Sequence, residues 1–132
     1  MSENFNIEII NPENSFLSKD NVTEVVVPAF EGEIGILKDH ISIISFLKPG
    51  IIKVFLGSEE ENFYVEDGIV EFKDNCLSIL TSSIFNLKDS DKKYISNCIL
   101  EAEKELSNDE IDDQKRFLLN HKIEVLKSIS IN

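Results

Sequence analysis

The chain has 132 residues, and its 25 acidic and 13 basic residues give a formal net charge of −12. This length suits one ordinary domain, or one domain with a small appendage. The acidic balance argues against nucleic acid as a partner, because phosphate binding requires a surface rich in Lys and Arg. It argues equally against direct docking on anionic lipid.

The N-terminal segment lacks the basic and apolar stretches of a signal peptide. No apolar run approaches the ~18 residues that a membrane-spanning helix needs. We therefore expect a cytoplasmic protein that reaches a membrane only through a partner.

Short apolar segments separated by turn signals fill the first two-thirds of the chain. Phe5, Ile7 and Ile9 alternate with polar residues, which is typical of a half-buried strand. The other strand-like runs are residues 15–18, 22–28, 31–37, 41–47, 51–56, 63–65, 69–72 and 76–81. Their regular spacing predicts an all-β sandwich or flattened barrel of short antiparallel strands over residues 1–86.

Two turns within this region carry specific predictions. Lys48-Pro49-Gly50 has the chemistry of a type II turn, with Gly50 at positive φ. Asp67-Gly68 is a hairpin signal that would pair residues 63–65 with residues 69–72.

The pattern changes after Phe85 to helical spacing, and Asp89 or Ser90 is the predicted cap of a first helix. Ser107 to Glu110 forms an S-x-x-E capping box, which predicts that a second helix begins there. Residues 87–132 are therefore predicted to form an antiparallel two-helix hairpin. The apolar stripe of its first helix comprises Ile95, Cys98, Ile99, Ala102 and Leu106.

Motifs for catalysis are scarce, since the chain has no Walker loop, G-x-G-x-x-G, G-x-S-x-G or C-x-x-C. His40 follows Asp39 without a motif that supplies a nucleophile, so we interpret it as a structural or interface residue. Glu31 and Glu33 could be arranged as a glycosidase pair, but nothing else indicates a sugar site. The acidic clusters lack metal-ligand spacing. We expect no catalytic residue, metal or cofactor, and a binding or regulatory role.

Two segments carry a family likeness. Residues 27–40 read VPAFEGEIGILKDH and residues 47–54 read LKPGIIKV. They resemble the epsilon subunit of F-type ATP synthases, whose pattern is approximately EGE-[IL]-GI-x-PGH followed by [LI]KPG and an apolar strand. Residues 63–71 and 101–106 resemble later parts of the same family, so the likeness covers most of the chain in the right order.

This resemblance implies a ten-stranded sandwich that packs on the gamma subunit and rests with one end on the c ring. It implies a non-catalytic rotor subunit of the central stalk, peripheral on the cytoplasmic face of the inner, energy-transducing membrane. Such a subunit couples ring rotation to the catalytic head during proton-driven ATP synthesis. In many relatives the hairpin also inhibits ATP hydrolysis by extending into the head of alpha and beta subunits.

The resemblance also assigns residues. Glu33 matches the acidic loop position that faces the c ring, where a carboxylate accepts charge-assisted hydrogen bonds. Glu31 and Gly32 support it, and His40 matches a loop histidine near the gamma and ring contact. For the hairpin, two interpretations stand: its bases meet a beta subunit when the hairpin extends, or the hairpin stays folded with its bases solvated. Those bases are Lys115, Arg116, Lys122 and Lys127.

Two departures from the family pattern matter. Lys38-Asp39 replace the Pro-Gly that precedes the histidine, so we expect a differently shaped loop. Some relatives bind ATP through I/L-D-x-x-R-A, and here Asp91 is kept but Tyr94 stands at the arginine position, which argues against ATP sensing. The alternative function is a free-standing β-sandwich module that binds a peptide or sugar through a concave aromatic patch.

Overall fold

The structure is a computed structural model that describes residues 4–12 and 15–131, with side chains to residue 129. The chain divides into two compact units, with the boundary between Asn86 and Leu87. The first unit is all-β and the second is helical, which confirms the predicted fold class.

The β unit is one ten-stranded sheet in the order β10-β7-β6-β3-β5-β8-β9-β1-β2, with β4 paired to β3. Its strands are β1 (Phe5–Ile10), β2 (Ser15–Val22), β3 (Glu24–Ala29), β4 (Gly32–Ile36), β5 (Ile43–Leu47), β6 (Gly50–Leu56), β7 (Glu59–Val65), β8 (Gly68–Lys73), β9 (Cys76–Leu80) and β10 (Ile84–Asn86).

The sheet folds over on itself at β3 and β5, which share only the pair Ala29–Leu47. As a result β2 faces β7: the rings of Phe16 and Phe63 lie 5.7 Å apart, and Lys19 Nζ lies 3.2 Å from a carboxylate oxygen of Glu61. Alternate strand residues point inward because side chains alternate between the faces of a strand. The enclosed core is aliphatic and phenylalanine-rich, and includes Ile7, Ile9, Val25, Ile52, Phe63, Val70, Phe72 and Ile79.

Three predictions about strand connections are wrong. β1 pairs with β9 in parallel, so the sheet is not wholly antiparallel. Asp67-Gly68 closes no hairpin, because β7 pairs with β6 and β10 while β8 pairs with β5 and β9. Gly50 lacks a positive φ. A Cβ at Gly50 would lie 2.5 Å from Pro28 Cβ, so close contact explains this glycine.

The helical unit consists of a short 3₁₀ turn (Leu87–Asp89), α1 (Lys92–Leu106) and α2 (Asp113–Ile131). The two helices pack through an apolar seam in which Ala102, Leu119 and Ile123 are buried. Ile99, Leu106 and Ile111 are partly buried and pack against this cluster. This arrangement confirms the predicted helical hairpin.

Both predicted helix starts are shifted. Asp91 caps α1, since its Oδ1 accepts a hydrogen bond from the N–H of Tyr94 at 2.7 Å. Ser107 ends α1 rather than starting α2: its backbone is helical (φ −73°, ψ −9°) and its N–H donates to Glu103 O. An N-cap residue needs an extended backbone, so the cap role falls to Asp112, whose Oδ1 accepts from the N–H of Lys115 at 2.8 Å.

Candidate functional site

The turn between β3 and β4 lies against β5. The N–H of Phe30 donates to the carbonyl of Phe46 at 3.0 Å. The hydroxyl of Ser45 lies within hydrogen-bond reach of both carboxylate oxygens of Glu31 and donates to Oε2 at 2.8 Å. These contacts hold the carboxylate of Glu31 in one place beside the middle of β5.

Glu33 differs from Glu31 in its setting. Gly32 begins β4 with φ +131°, a conformation that favours glycine. Glu33 follows it in the strand opposite Pro28, and its side chain is exposed. Glu31 is therefore anchored by a hydroxyl, whereas Glu33 is presented to solvent from a paired strand.

His40 is held by three contacts. Its N–H donates to Leu37 O at 3.1 Å and closes a turn. Its Nδ1 lies 2.7 Å from Ile41 O, and because a carbonyl only accepts, Nδ1 carries the proton. The imidazole meets the buried ring of Phe72 edge-on, with centroids 6.0 Å apart.

The predicted residues do not form one compact cluster. Glu31 lies beside Ser45, whereas His40 lies beside Phe72, which pairs with Ile43 at the start of β5. The turn at 37–40 also persists without the family's Pro-Gly, since Asp39 adopts φ +67° there.

An exposed apolar face that the sequence did not predict lies beside Glu31. Phe46, Ile69 and Leu80 stand directly opposite one another on β5, β8 and β9, and are 64%, 37% and 50% exposed. Phe30 and Ile44 are also exposed, and they line a shallow surface depression together with Phe46 and Ile69. We call these five residues the outer apolar face. A contiguous exposed patch of this kind marks a protein interaction site. The sequence did contain an indication of this face. Residues 41–47 carry apolar side chains on both sides of the strand, a pattern typical of strands that are covered on both faces.

Lys115, Arg116 and Lys127, which are among the predicted regulatory bases, link the helices of the hairpin. Lys115 Nζ lies 3.5 Å from a carboxylate oxygen of Glu105, and Lys127 Nζ lies 4.0 Å from one of Glu103. Arg116 donates from Nη1 to the carbonyl of Leu106 at 3.2 Å, at the end of α1. The fourth predicted base, Lys122, lies in α2.

Within residues 4–12 and 15–129, no three His, Cys, Asp or Glu side chains lie close enough together to hold a metal ion. In the same part of the chain, no helix combines the length and the apolar character needed to cross a membrane.

A β sandwich with an exposed apolar face is typical of a protein that interacts with other proteins. Residues 4–87 match the family described as ATP synthase, Delta/Epsilon chain, beta-sandwich domain. The ATP synthase epsilon chain of Pelagibacter ubique is 68% identical over 130 residues, which cover 98% of this chain and 100% of that relative. The epsilon chain of Rhizobium etli is 33% identical over 122 residues, covering 92% and 89%. The chain therefore belongs to the ATP synthase epsilon-chain family.

Two solved structures share the fold. A chain of the Euglena gracilis mitochondrial ATP synthase superposes with a TM-score of 0.76 at 19% identity, covering 99% of this chain and 82% of that chain. A chain of the Tetrahymena thermophila mitochondrial ATP synthase central stalk and c-ring gives a TM-score of 0.68 at 14% identity, covering 98% of both.

Membership in this family makes the chain a non-catalytic subunit of the membrane-associated ATP synthase. The alternative of a free-standing peptide- or sugar-binding module is not supported.

Proposed function

We propose that this subunit couples rotation of the c ring to the gamma subunit and the catalytic head. The outer apolar face carries this proposal, because five exposed apolar side chains on neighbouring strands and a turn require a protein partner. We assign this face to gamma. The loop of residues 31–40 is assigned to the c ring, with Glu33 as its contact carboxylate, Glu31 and Gly32 as supports, and His40 at the border of the two contacts.

The electrostatic setting supports this assignment. Glu33 is exposed on a paired strand, so an Arg or amide of the ring can reach its carboxylate without unfolding the sandwich. With a net charge of −12, the chain gains attraction toward a basic partner surface and repulsion from anionic lipid. Membrane association on the cytoplasmic face would then arise through the complex.

Charge reversal at Glu33 tests the ring contact. In the assembled enzyme, Glu33→Arg should lower proton-driven ATP synthesis, because the new cation repels a basic partner group and cannot accept a hydrogen bond from an amide N–H. Thermal unfolding of the free subunit should be unchanged, since Glu33 is exposed. Glu59→Arg makes the same charge change on an exposed residue of β7 and should leave synthesis intact. Normal ATP synthesis in Glu33→Arg would refute the ring contact.

We further propose that the hairpin regulates ATP hydrolysis. Its bases hold α2 to α1 through two ion pairs that are about half exposed and one hydrogen bond to a helix end. Exposed pairs of this kind each contribute less than about 1 kcal/mol. Opening the hairpin would release Lys115, Arg116 and Lys127 together with Lys122 toward an acidic surface of a beta subunit.

We propose no ATP sensing by the hairpin. Asp91, the retained residue of the nucleotide motif, serves as the N-cap of α1 by accepting the N–H of Tyr94 at 2.7 Å. Tyr94 stands where the motif requires a guanidinium. The local structure thus accounts for Asp91 without a nucleotide.

A further inference from the structure

Two residues with left-handed backbone conformation face each other across two turns. Asp39, at φ +67°, lies in the turn before His40, and Asn75, at φ +57°, lies in the turn between β8 and β9. The N–H of Asp39 donates to Asn75 Oδ1 at 2.7 Å. Asn75 Nδ2 donates in return to Asp39 Oδ1 at 2.9 Å. We call this reciprocal pair, which spans 36 positions in sequence, the Asp39–Asn75 clasp.

The clasp explains how the loop keeps a turn without glycine. A non-glycine residue at positive φ is strained, and Asp and Asn tolerate this region best because their short side chains hydrogen-bond nearby. The family pattern has glycine where Asp39 stands. Here the backbone N–H and the carboxylate of Asp39 both bond to one amide side chain, which offsets that strain and ties the turn to the sandwich.

We propose that Asn75 is a positioning residue for the loop of residues 37–41. It acts through Asp39, and the clasp works together with the contact between His40 and the buried ring of Phe72. The effect of the clasp on the contact with the c ring rests on the function proposed above. Asn75 contributes to ring coupling by holding Asp39 and His40 in place, without needing to touch the ring itself.

Amide hydrogen exchange on the full chain tests the clasp. Asn75→Gly keeps a residue that adopts φ +57° freely and removes only the side-chain bonds. The amide of Asp39 should then exchange about tenfold faster, which is the effect of losing roughly 1.4 kcal/mol of hydrogen bonding. Asp74→Gly, at φ +53° in the same turn, is the matched control and should leave the Asp39 amide unchanged. Equal exchange rates in Asn75→Gly and the wild type would overturn the proposal.

Swapping the side chains of Asp39 and Asn75 tests whether their mutual contact, and not a local effect of either substitution, positions the turn. Asn75→Asp alone sets two carboxylates against each other where Nδ2 and Oδ1 lie 2.9 Å apart. The double variant Asp39→Asn/Asn75→Asp places an amide donor opposite a carboxylate again and keeps the net charge. Measured against each residue's own intrinsic exchange rate, protection at position 39 should fall about tenfold in the single variant and return to the wild-type level in the double variant. Absence of this rescue would overturn the proposal.

The same variants in assembled ATP synthase test the consequence for coupling. Reduced proton-driven synthesis in Asn75→Asp, recovered in the double variant, supports the positioning role. Normal synthesis in Asn75→Asp beside impaired synthesis in Glu33→Arg would overturn that role while leaving the ring contact intact. Unimpaired synthesis in Glu33→Arg would instead reject the proposed ring contact. That result would not depend on the amide exchange rates at position 39, so the two failures can be told apart.

Discussion

At the scale of single residues, the two family motifs meet in space around Pro28. The N–H of Lys48 donates to Pro28 O at 3.0 Å, and Gly50 lies against the Pro28 ring. Pro28 therefore approaches the other motif through its carbonyl and its ring. The first residue of β6 consequently needs to lack a side chain for reasons of space, whereas backbone conformation sets no such demand.

Substitution at Gly50 tests this explanation. Gly50→Ala should destabilise the chain by about 2 kcal/mol, because its Cβ would lie 2.5 Å from Pro28 Cβ and overpacking forces neighbouring atoms to move. Gly35→Ala is the control: its Cβ would make only an ordinary contact, 3.5 Å from Glu24 Oε2. Its effect should stay within about 0.5 kcal/mol. Chemical denaturation measures the stability of both variants. Equal denaturation midpoints for Gly50→Ala and Gly35→Ala would show that Gly50 has room for a methyl group.

Residue assignments made through the family resemblance concern Glu31, Gly32, Glu33 and His40, and they remain proposals. The structure adds Ser45 and Asn75 as residues that hold two parts of the loop. Neither was predictable, because Ser45 lies 14 positions from Glu31 and Asn75 lies 36 positions from Asp39. Local sequence carries no information on which distant side chain reaches a given carboxylate.

At the scale of elements, the positions of β1 to β9 and of the two helices followed from apolar periodicity, but β10 (Ile84–Asn86) and the helix starts did not. The S-x-x-E motif at Ser107 to Glu110 predicted the start of α2, yet α1 runs on to Leu106 and uses the N–H of Ser107. Capping motifs compete with the end of the preceding helix. In this short connection the end of α1 wins, so the cap moves to Asp112.

Removal of the capping side chain tests this placement. Asp112→Ala should weaken the hairpin by about 1 kcal/mol, since the N–H of Lys115 loses its acceptor. Glu110→Ala is the matched control, because it keeps the backbone N–H of Glu110, which donates to Asn108 Oδ1, and leaves Asp112 in place. Amide exchange at Lys115 should accelerate in the first variant and not in the second. Faster exchange at Lys115 in Glu110→Ala than in Asp112→Ala would instead support the capping box at Ser107 to Glu110.

At the scale of the whole molecule, the boundary between Asn86 and Leu87 separates two compact units. Each unit has its own apolar cluster, one within the sandwich and one at the seam of α1 and α2. Such units can carry separate tasks, and we assign coupling to the first and regulation to the second.

Deletion of residues 88–132 tests that division in the assembled enzyme. ATP hydrolysis should rise about fivefold, the scale of a coupling free energy near 1 kcal/mol, while proton-driven synthesis continues. Glu103→Lys/Glu105→Lys should act in the opposite direction and lower hydrolysis, because it breaks the ion pairs that Lys115 and Lys127 make with α1. Unchanged hydrolysis in the deletion would favour a hairpin that stays folded and has no inhibitory role.

The amino-acid sequence by itself determined the two structural classes, the strand-like alternation of Phe5, Ile7 and Ile9, the change to helical spacing after Phe85, and the family. Only the tertiary structure decided that β7 and β8 do not pair, that β1 and β9 run in parallel, and that Phe46, Ile69 and Leu80 align on an exposed face. The reason is physical. Periodicity depends on neighbours along the chain, whereas strand partners and exposure depend on contacts between residues that are far apart in sequence.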